Sequence, residues 1–117
     1  MKRLLSATIN SLHGIAYGIR SEAALREEII VLVLAVPAGV FVAPNAAWYT
    51  AMVGVILLLI AVEFLNTAIE KLADHVTREQ HHEIRRIKDF GSAAVFSTIA
   101  LCGIVWLAAI AVRCRMI

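Results

Sequence analysis

Residues 29–62 hold no Asp, Glu, Lys or Arg, a run of 34 uncharged positions in a chain of 117. One membrane helix needs about 20 apolar residues, so the run is too long for one span and too short for two spans plus a turn. Cysteine is almost missing. Cys102 and Cys114 stand far from a CxxC spacing, which argues against a metal or redox centre and for two free thiols. Neither a GxxxxGK[ST] loop nor a GxGxxG loop occurs, so the two common glycine-rich phosphate cradles are absent. The net charge of +2 is too small to suggest nucleic acid as a partner. The N-terminus carries Lys2 and Arg3, but Ser6, Asn10, Ser11 and His13 interrupt any signal-peptide core, and no cleavage is expected.

What is present is apolar. Hydrophobic residues make up 61% of the chain and mean hydropathy is +0.82, which fits a single all-α membrane domain over 1–117. Leu5, Ile9, Leu12, Ala16 and Ile19 recur at helical spacing opposite Arg3, Ser6, Asn10, His13, Tyr17 and Arg20. This pattern predicts an amphipathic surface helix over 1–20. Ser21 is positioned to cap the next helix, with Glu22 in its first turn and Arg26 four residues on, a spacing for pairing. Transmembrane helices are expected at about 26–43, 47–70 and 90–112. The apolar part of the first runs only from Ile29 to Val42, with Pro37 expected to kink it, and Trp48 and Tyr49 supply interface anchors for the second. The basic segment 71–89 reads as a cytoplasmic loop, together with a cytoplasmic N-terminus, by the positive-inside rule. Gly91, Ser92, Ala93 and Ala94 open the last span with small residues that let helices approach closely.

The chemistry is expected where the apolar run meets its first charges. Glu63 lies roughly 25 Å along the second span from Ala47 at 1.5 Å per residue, near the edge of the hydrocarbon. Asn66, Glu70 and Asp74 follow at three, seven and eleven residues, on the same helix face. Carboxylates gathered with Lys and Arg at a membrane surface suit a Mg²⁺–phosphate site, in which one carboxylate takes a proton from a hydroxyl. The residues by themselves leave three readings open: lipid-facing phosphotransfer, cation transport, and a polar stripe that only joins helices.

A resemblance narrows them. The pattern Glu63-(x)2-Asn66-Thr67-Ala68-Ile69-Glu70-(x)3-Asp74, followed by Lys88-Asp89-(x)-Gly91-Ser92-Ala93-Ala94-Val95, resembles the prokaryotic diacylglycerol kinase family. Ser21-Glu22-Ala23-Ala24-Leu25-Arg26-Glu27-Glu28 is similar to its NEAAxRxE stretch, and the likeness covers nearly the whole chain. The resemblance implies a homotrimer of three-span subunits in the bacterial cytoplasmic (inner) membrane, with a surface helix and active sites between subunits. It implies transfer of the γ-phosphate of MgATP to a lipid alcohol. By position, Glu63 becomes the catalytic base and Glu22 and Glu70 the Mg²⁺ ligands. ATP falls to Lys88 and Asp89 with Arg3, Asn10, Glu22, Asn66, Glu70, Glu79 and His81, and the lipid to Arg3, Arg26, Glu28, Glu63 and Ser92. The chain departs from well-known members at Asn10, Leu12, His13 and Gln80, which bears on contacts to the nucleotide base. Undecaprenol is the competing substrate within the family, and its kinases tend to carry a KDxAAGAV-like sequence. Lys88-Asp89-Phe90-Gly91-Ser92-Ala93-Ala94-Val95 follows the diacylglycerol version instead. A small cation transporter remains the remote alternative.

Overall fold

A computed structural model describes all residues from Met1 to Ile117. Four helices follow one another: α1 Lys2–Ser21, α2 Ala23–Val42, α3 Ala46–Val76 and α4 His82–Arg113. There is no strand. Helix α3 is the central element. It packs along α4 and α2, whereas α1 rests mainly on α2.

Two of the boundaries have clear local causes. Asn45 caps α3 by accepting a hydrogen bond from the Trp48 amide at 3.0 Å, and His81 caps α4 through Nδ1, which accepts from the Glu83 amide at 3.2 Å. The α1–α2 junction is not capped by Ser21, contrary to the sequence expectation. Glu22 holds that position with φ −121° and ψ 115°, and its side chain makes no cap. Nor does Glu22 pair with Arg26. An extended residue lies outside the register that brings i and i+4 together. The Arg26 guanidinium instead turns back and donates to the carbonyls of Ile19 (3.0 Å) and Arg20 (3.1 Å). Those carbonyls sit in the last turn of α1, where a cation is favoured.

At 1.5 Å per residue α3 and α4 are each about 45–50 Å long, well beyond a hydrocarbon core of about 30 Å. Both are long and apolar enough to cross a membrane. The surplus turns explain another difference from the sequence reading. Segment 71–89 is mostly helical, because α3 runs on to Val76 and α4 begins at His82, leaving only residues 77–81 unwound. Helix α2 runs through Pro37 without interruption.

Only 14 of 117 residues are buried, so the chain cannot cover its own apolar surface. A small core of Leu25, Ala35, Ile56 and Ile60 joins α2 to α3, with Phe64 and Trp106 packed against it. Phe41, Leu58, Phe96, Ile104 and Leu107 point outward. An apolar exterior on this scale calls for lipid or further protein around it.

Two glycines set the helix spacing. A Cβ on Gly18 would stand 2.7 Å from the Phe64 ring and 2.9 Å from Leu25, so α1 reaches the bundle only because that atom is absent. A Cβ on Gly91 would run into Asn66 Oδ1. Gly91 thus lets α4 close onto α3 at the level of the polar seam, as the small-residue opening of the last span predicts.

Candidate active site

The uncharged length of α3 ends at Glu63, and the helix carries its polar stripe from there toward Val76. Glu63 is 9% exposed and Asn66 8%, the two most enclosed members of the stripe. Glu70 and Asp74, one and two turns on, are exposed. The seam is thus graded, from an enclosed carboxylate to carboxylates in water.

Other elements bring further carboxylates to Glu63. Glu22 from the α1–α2 junction and Glu70 lie close enough to repel its charge, and Glu28 from α2 faces it as well. Four acidic side chains from two helices and a junction therefore converge. Two acceptors in this region are buried with no hydrogen-bond partner, Glu28 Oε2 and the carboxamide oxygen Asn66 Oδ1. Asn66 Nδ2 points the other way and donates to Glu70 Oε1 over a long 3.5 Å. Buried acceptors without donors are rare in folded proteins, and here one of them, Asn66 Oδ1, lies against Gly91 of α4.

Cations border the cluster. Lys71 Nζ lies 2.9 Å from Glu22 Oε1, and Lys88 Nζ lies 2.5 Å from Asp74 Oδ1, tying α4 to the outer end of α3. The hydrogen bond to Glu22 holds the Lys71 ammonium above its usual range. Correspondingly, the hydrogen bond from Lys88 holds the Asp74 carboxyl below its own. Beyond Asp74 opens a cleft of about 520 Å³. Arg78, His82 and Arg85 line it along with Asp74, Glu79, His81 and Lys88, making it polar, with three cations against two carboxylates.

The fold therefore gathers Glu22, Glu28, Glu63, Asn66 and Glu70 in one place and Glu79, His81 and Lys88 in the adjoining cleft. Other residues singled out from the sequence remain apart. Arg3 and Asn10 lie on the exposed face of α1 and form no side-chain hydrogen bond or ion pair within this chain. Asp89 and Ser92 are exposed on α4. Arg26 spends its guanidinium on α1 carbonyls. Lys71 and the cleft arginines were not foreseen as site residues. The adjacency of Lys71 to Glu70 gives no sign that it turns to Glu22, because that contact depends on how the α1–α2 junction sits against α3.

The sequence model of the prokaryotic diacylglycerol kinase family matches residues 9–110. The chain is 33% identical over 106 residues to a diacylglycerol kinase of Haemophilus influenzae, covering 91% of this chain and 90% of that one. Identity is 36% over 106 residues with the Pseudomonas aeruginosa diacylglycerol kinase, covering 91% and 86%. With the Escherichia coli K12 enzyme it is 34% over 104 residues, covering 89% and 85%. The chain belongs to the prokaryotic diacylglycerol kinase family. It is accordingly a phosphotransferase of a lipid-kinase family, and both long apolar helices agree with a membrane protein. Family membership also removes the transporter reading that the bare residues left open.

The residues fit a divalent cation shared with phosphate. No group of three or more His, Cys, Asp or Glu forms an all-protein metal cage anywhere in the chain. Mg²⁺ held by one or two carboxylates, with phosphate oxygens and waters completing its shell, needs none. Glu22 and Glu70 offer such hard oxygen donors beside Glu63.

Proposed function

We propose that the protein phosphorylates 1,2-diacylglycerol to phosphatidic acid, using ATP and Mg²⁺, at the cytoplasmic face of the bacterial inner membrane. The observation that carries this reading is the enclosed Glu63, set where the apolar length of α3 gives way to charge. A lipid hydroxyl at the membrane surface would meet a carboxylate there that water does not fully surround.

Glu63 would accept the hydroxyl proton as the alcohol oxygen attacks the γ-phosphorus. The new P–O bond forms as the bond from that phosphorus to the β,γ-bridging oxygen breaks, and ADP departs. Glu22 and Glu70 would hold the cation, and Asn66 would orient the Glu70 carboxylate. Mg²⁺, when bound, supplies positive charge to the transferring phosphoryl group. Lys88 and Asp89 would receive the nucleotide phosphates, with Glu79 and His81 at the cleft wall. Glu28 and Ser92 would contact the lipid headgroup together with Arg3 and Arg26, and Asn10 would reach the nucleotide from α1.

The reading includes α2 as a third span. Its apolar stretch Ile29–Val42 rises only about 21 Å at 1.5 Å per residue, so Glu27 and Glu28 would lie at the inner interface. It also includes a homotrimer. The uncovered apolar surface supports association, and residues of α1 far from the carboxylates of their own chain would then serve a neighbour's site.

Phosphate transfer from labelled ATP in mixed micelles tests the reading, with diacylglycerol and undecaprenol offered in separate reactions. Labelled phosphatidic acid is expected. Labelled undecaprenyl phosphate in its place would keep the mechanism and replace the substrate. Product from neither lipid would defeat the proposal.

A further inference from the structure

The cluster of acidic side chains contains one cation whose position is at odds with a metal site. Lys71 Nζ lies 2.9 Å from Glu22 Oε1, the carboxylate offered above as a Mg²⁺ ligand. A Mg²⁺ ion binds a carboxylate oxygen at about 2.0–2.1 Å. An ammonium already hydrogen-bonded to that oxygen takes up the lone pair and the space, and like charge repels the arriving ion.

We propose that Lys71 is the resident counter-ion of Glu22, holding the carboxylate in place until a divalent cation displaces it. This inference rests on the reading of Glu22 as a metal ligand. Three observations shape it. The Lys71 side chain is 53% exposed and that of Glu22 29%, so the ammonium reaches in from water over a flexible stem and can swing out again. Apart from Lys71, the Glu22 side chain meets only the neighbouring Ser21 hydroxyl, which donates to Oε1 over a long 3.5 Å, and it caps neither helix. Lys88 already occupies Asp74, the acidic neighbour three residues along from Lys71. Of the carboxylates beside Lys71, Asp74 is thus already paired and Glu70 is the other ligand offered to the metal, so a nucleotide phosphate is the anion left to meet a displaced ammonium.

Lys71 then has two effects. With no ligand bound, it offsets the mutual repulsion of Glu22, Glu63 and Glu70 and holds Glu22 next to them. It also weakens binding of a bare divalent cation, because the ion must first break the 2.9 Å pair. Metal and nucleotide would consequently bind better together than apart, an example of coupling between two ligands at one site.

The test is Mn²⁺ binding to the full-length protein in detergent micelles without nucleotide, followed by electron paramagnetic resonance. Lys71→Met keeps much of the stem and removes the charge. It is expected to bind Mn²⁺ about threefold or more tightly, the range an exposed ion pair can impose. Lys71→Arg is expected to retain the weak affinity. Measured against Glu22→Gln alone, the double variant Glu22→Gln/Lys71→Met should show no gain, isolating the pairwise effect from a general change in charge. Unchanged or weaker Mn²⁺ binding in Lys71→Met overturns the counter-ion role, as does a gain that persists without Glu22. If neither wild type nor variant binds Mn²⁺, even with ATP present, the reading of Glu22 and Glu70 as metal ligands falls, and this inference falls with it.

Discussion

The two ends of α3 are joined to their neighbours by different chemistry. At the end near Asn45, side chains bond to backbone. The Tyr49 hydroxyl donates to the Val36 carbonyl at 2.8 Å, Trp106 Nε1 to Met52 at 3.2 Å and the Cys102 thiol to Val55 at 3.3 Å. Each of these three donors has a backbone acceptor on a neighbouring helix. At the other end Glu22, Glu28, Glu63, Asn66 and Glu70 converge, and two buried acceptors have no donor. A region whose polar groups are satisfied internally can only hold shape. A region that gathers carboxylates and leaves acceptors unpaired holds polar groups the fold itself does not use, so the helix keeps its stability at one end and its chemistry at the other.

The largest expected effect falls on the unsatisfied end. Glu63→Gln preserves volume and removes the base, and kcat should drop by about 10²–10⁴, the usual contribution of a positioned general base. Nucleotide binding, followed by titration with a fluorescent ATP analogue, should survive. Turnover close to wild type in micelles would show that another group takes the proton.

Next in size is the contact that brings α4 onto the seam. Gly91→Ala puts a methyl against Asn66 Oδ1 and should cost about 1–3 kcal/mol in stability by overpacking. Activity should fall as well, because Asn66 must move. Adding Asn66→Ala to Gly91→Ala should restore much of the thermal midpoint but not turnover. Recovery of both would make Asn66 a spacer and not a member of the site.

The satisfied end should respond in the opposite way. Tyr49→Phe and Trp106→Phe each remove one interhelical hydrogen bond, worth about 0.5–1.5 kcal/mol, and should lower stability while leaving kcat and KM near wild type. A change in kcat larger than the change in folded fraction would mean that the two ends of α3 are coupled.

Much of this division is legible in the sequence because α3 is one long helix with a regular period. Spacings of three, four and four from Glu63 place Asn66, Glu70 and Asp74 on one face, and the structure keeps them there. Where a helix ends, the same rule misleads. Glu22 and Arg26 look like an i, i+4 pair, yet Glu22 is extended at the junction, so it faces Lys71 while Arg26 turns to the α1 carbonyls. The seat of Gly18 against Phe64 and the cleft formed by Arg78, His82 and Arg85 likewise arise from how separate elements dock, a property no local spacing records.

The smallest effects belong to the two exposed ion pairs that flank the site, and their signs are opposite. Asp74 has an ordinary carboxyl value of 3.8, lowered in the folded chain first by the hydrogen bond from Lys88. Its stabilising contribution is therefore complete above that value and is lost as pH falls through the lowered one. Lys71 starts from 10.5 and is raised, chiefly by its hydrogen bond to Glu22. Its contribution is complete below 10.5 and is lost as pH rises through the raised value. Between about pH 5 and pH 9 Asp74 and Lys71 both keep their charges, and linkage predicts no slope from either. The difference in thermal midpoint between wild type and Asp74→Asn should accordingly be small and flat across that window. It should shrink toward 1 M salt, where the screening length is about 3 Å. A difference that grows from pH 5 to pH 9 would show that Asp74 titrates there and that Lys88 does not hold it charged. A flat profile would instead leave any pH dependence of turnover in that window to groups other than Asp74.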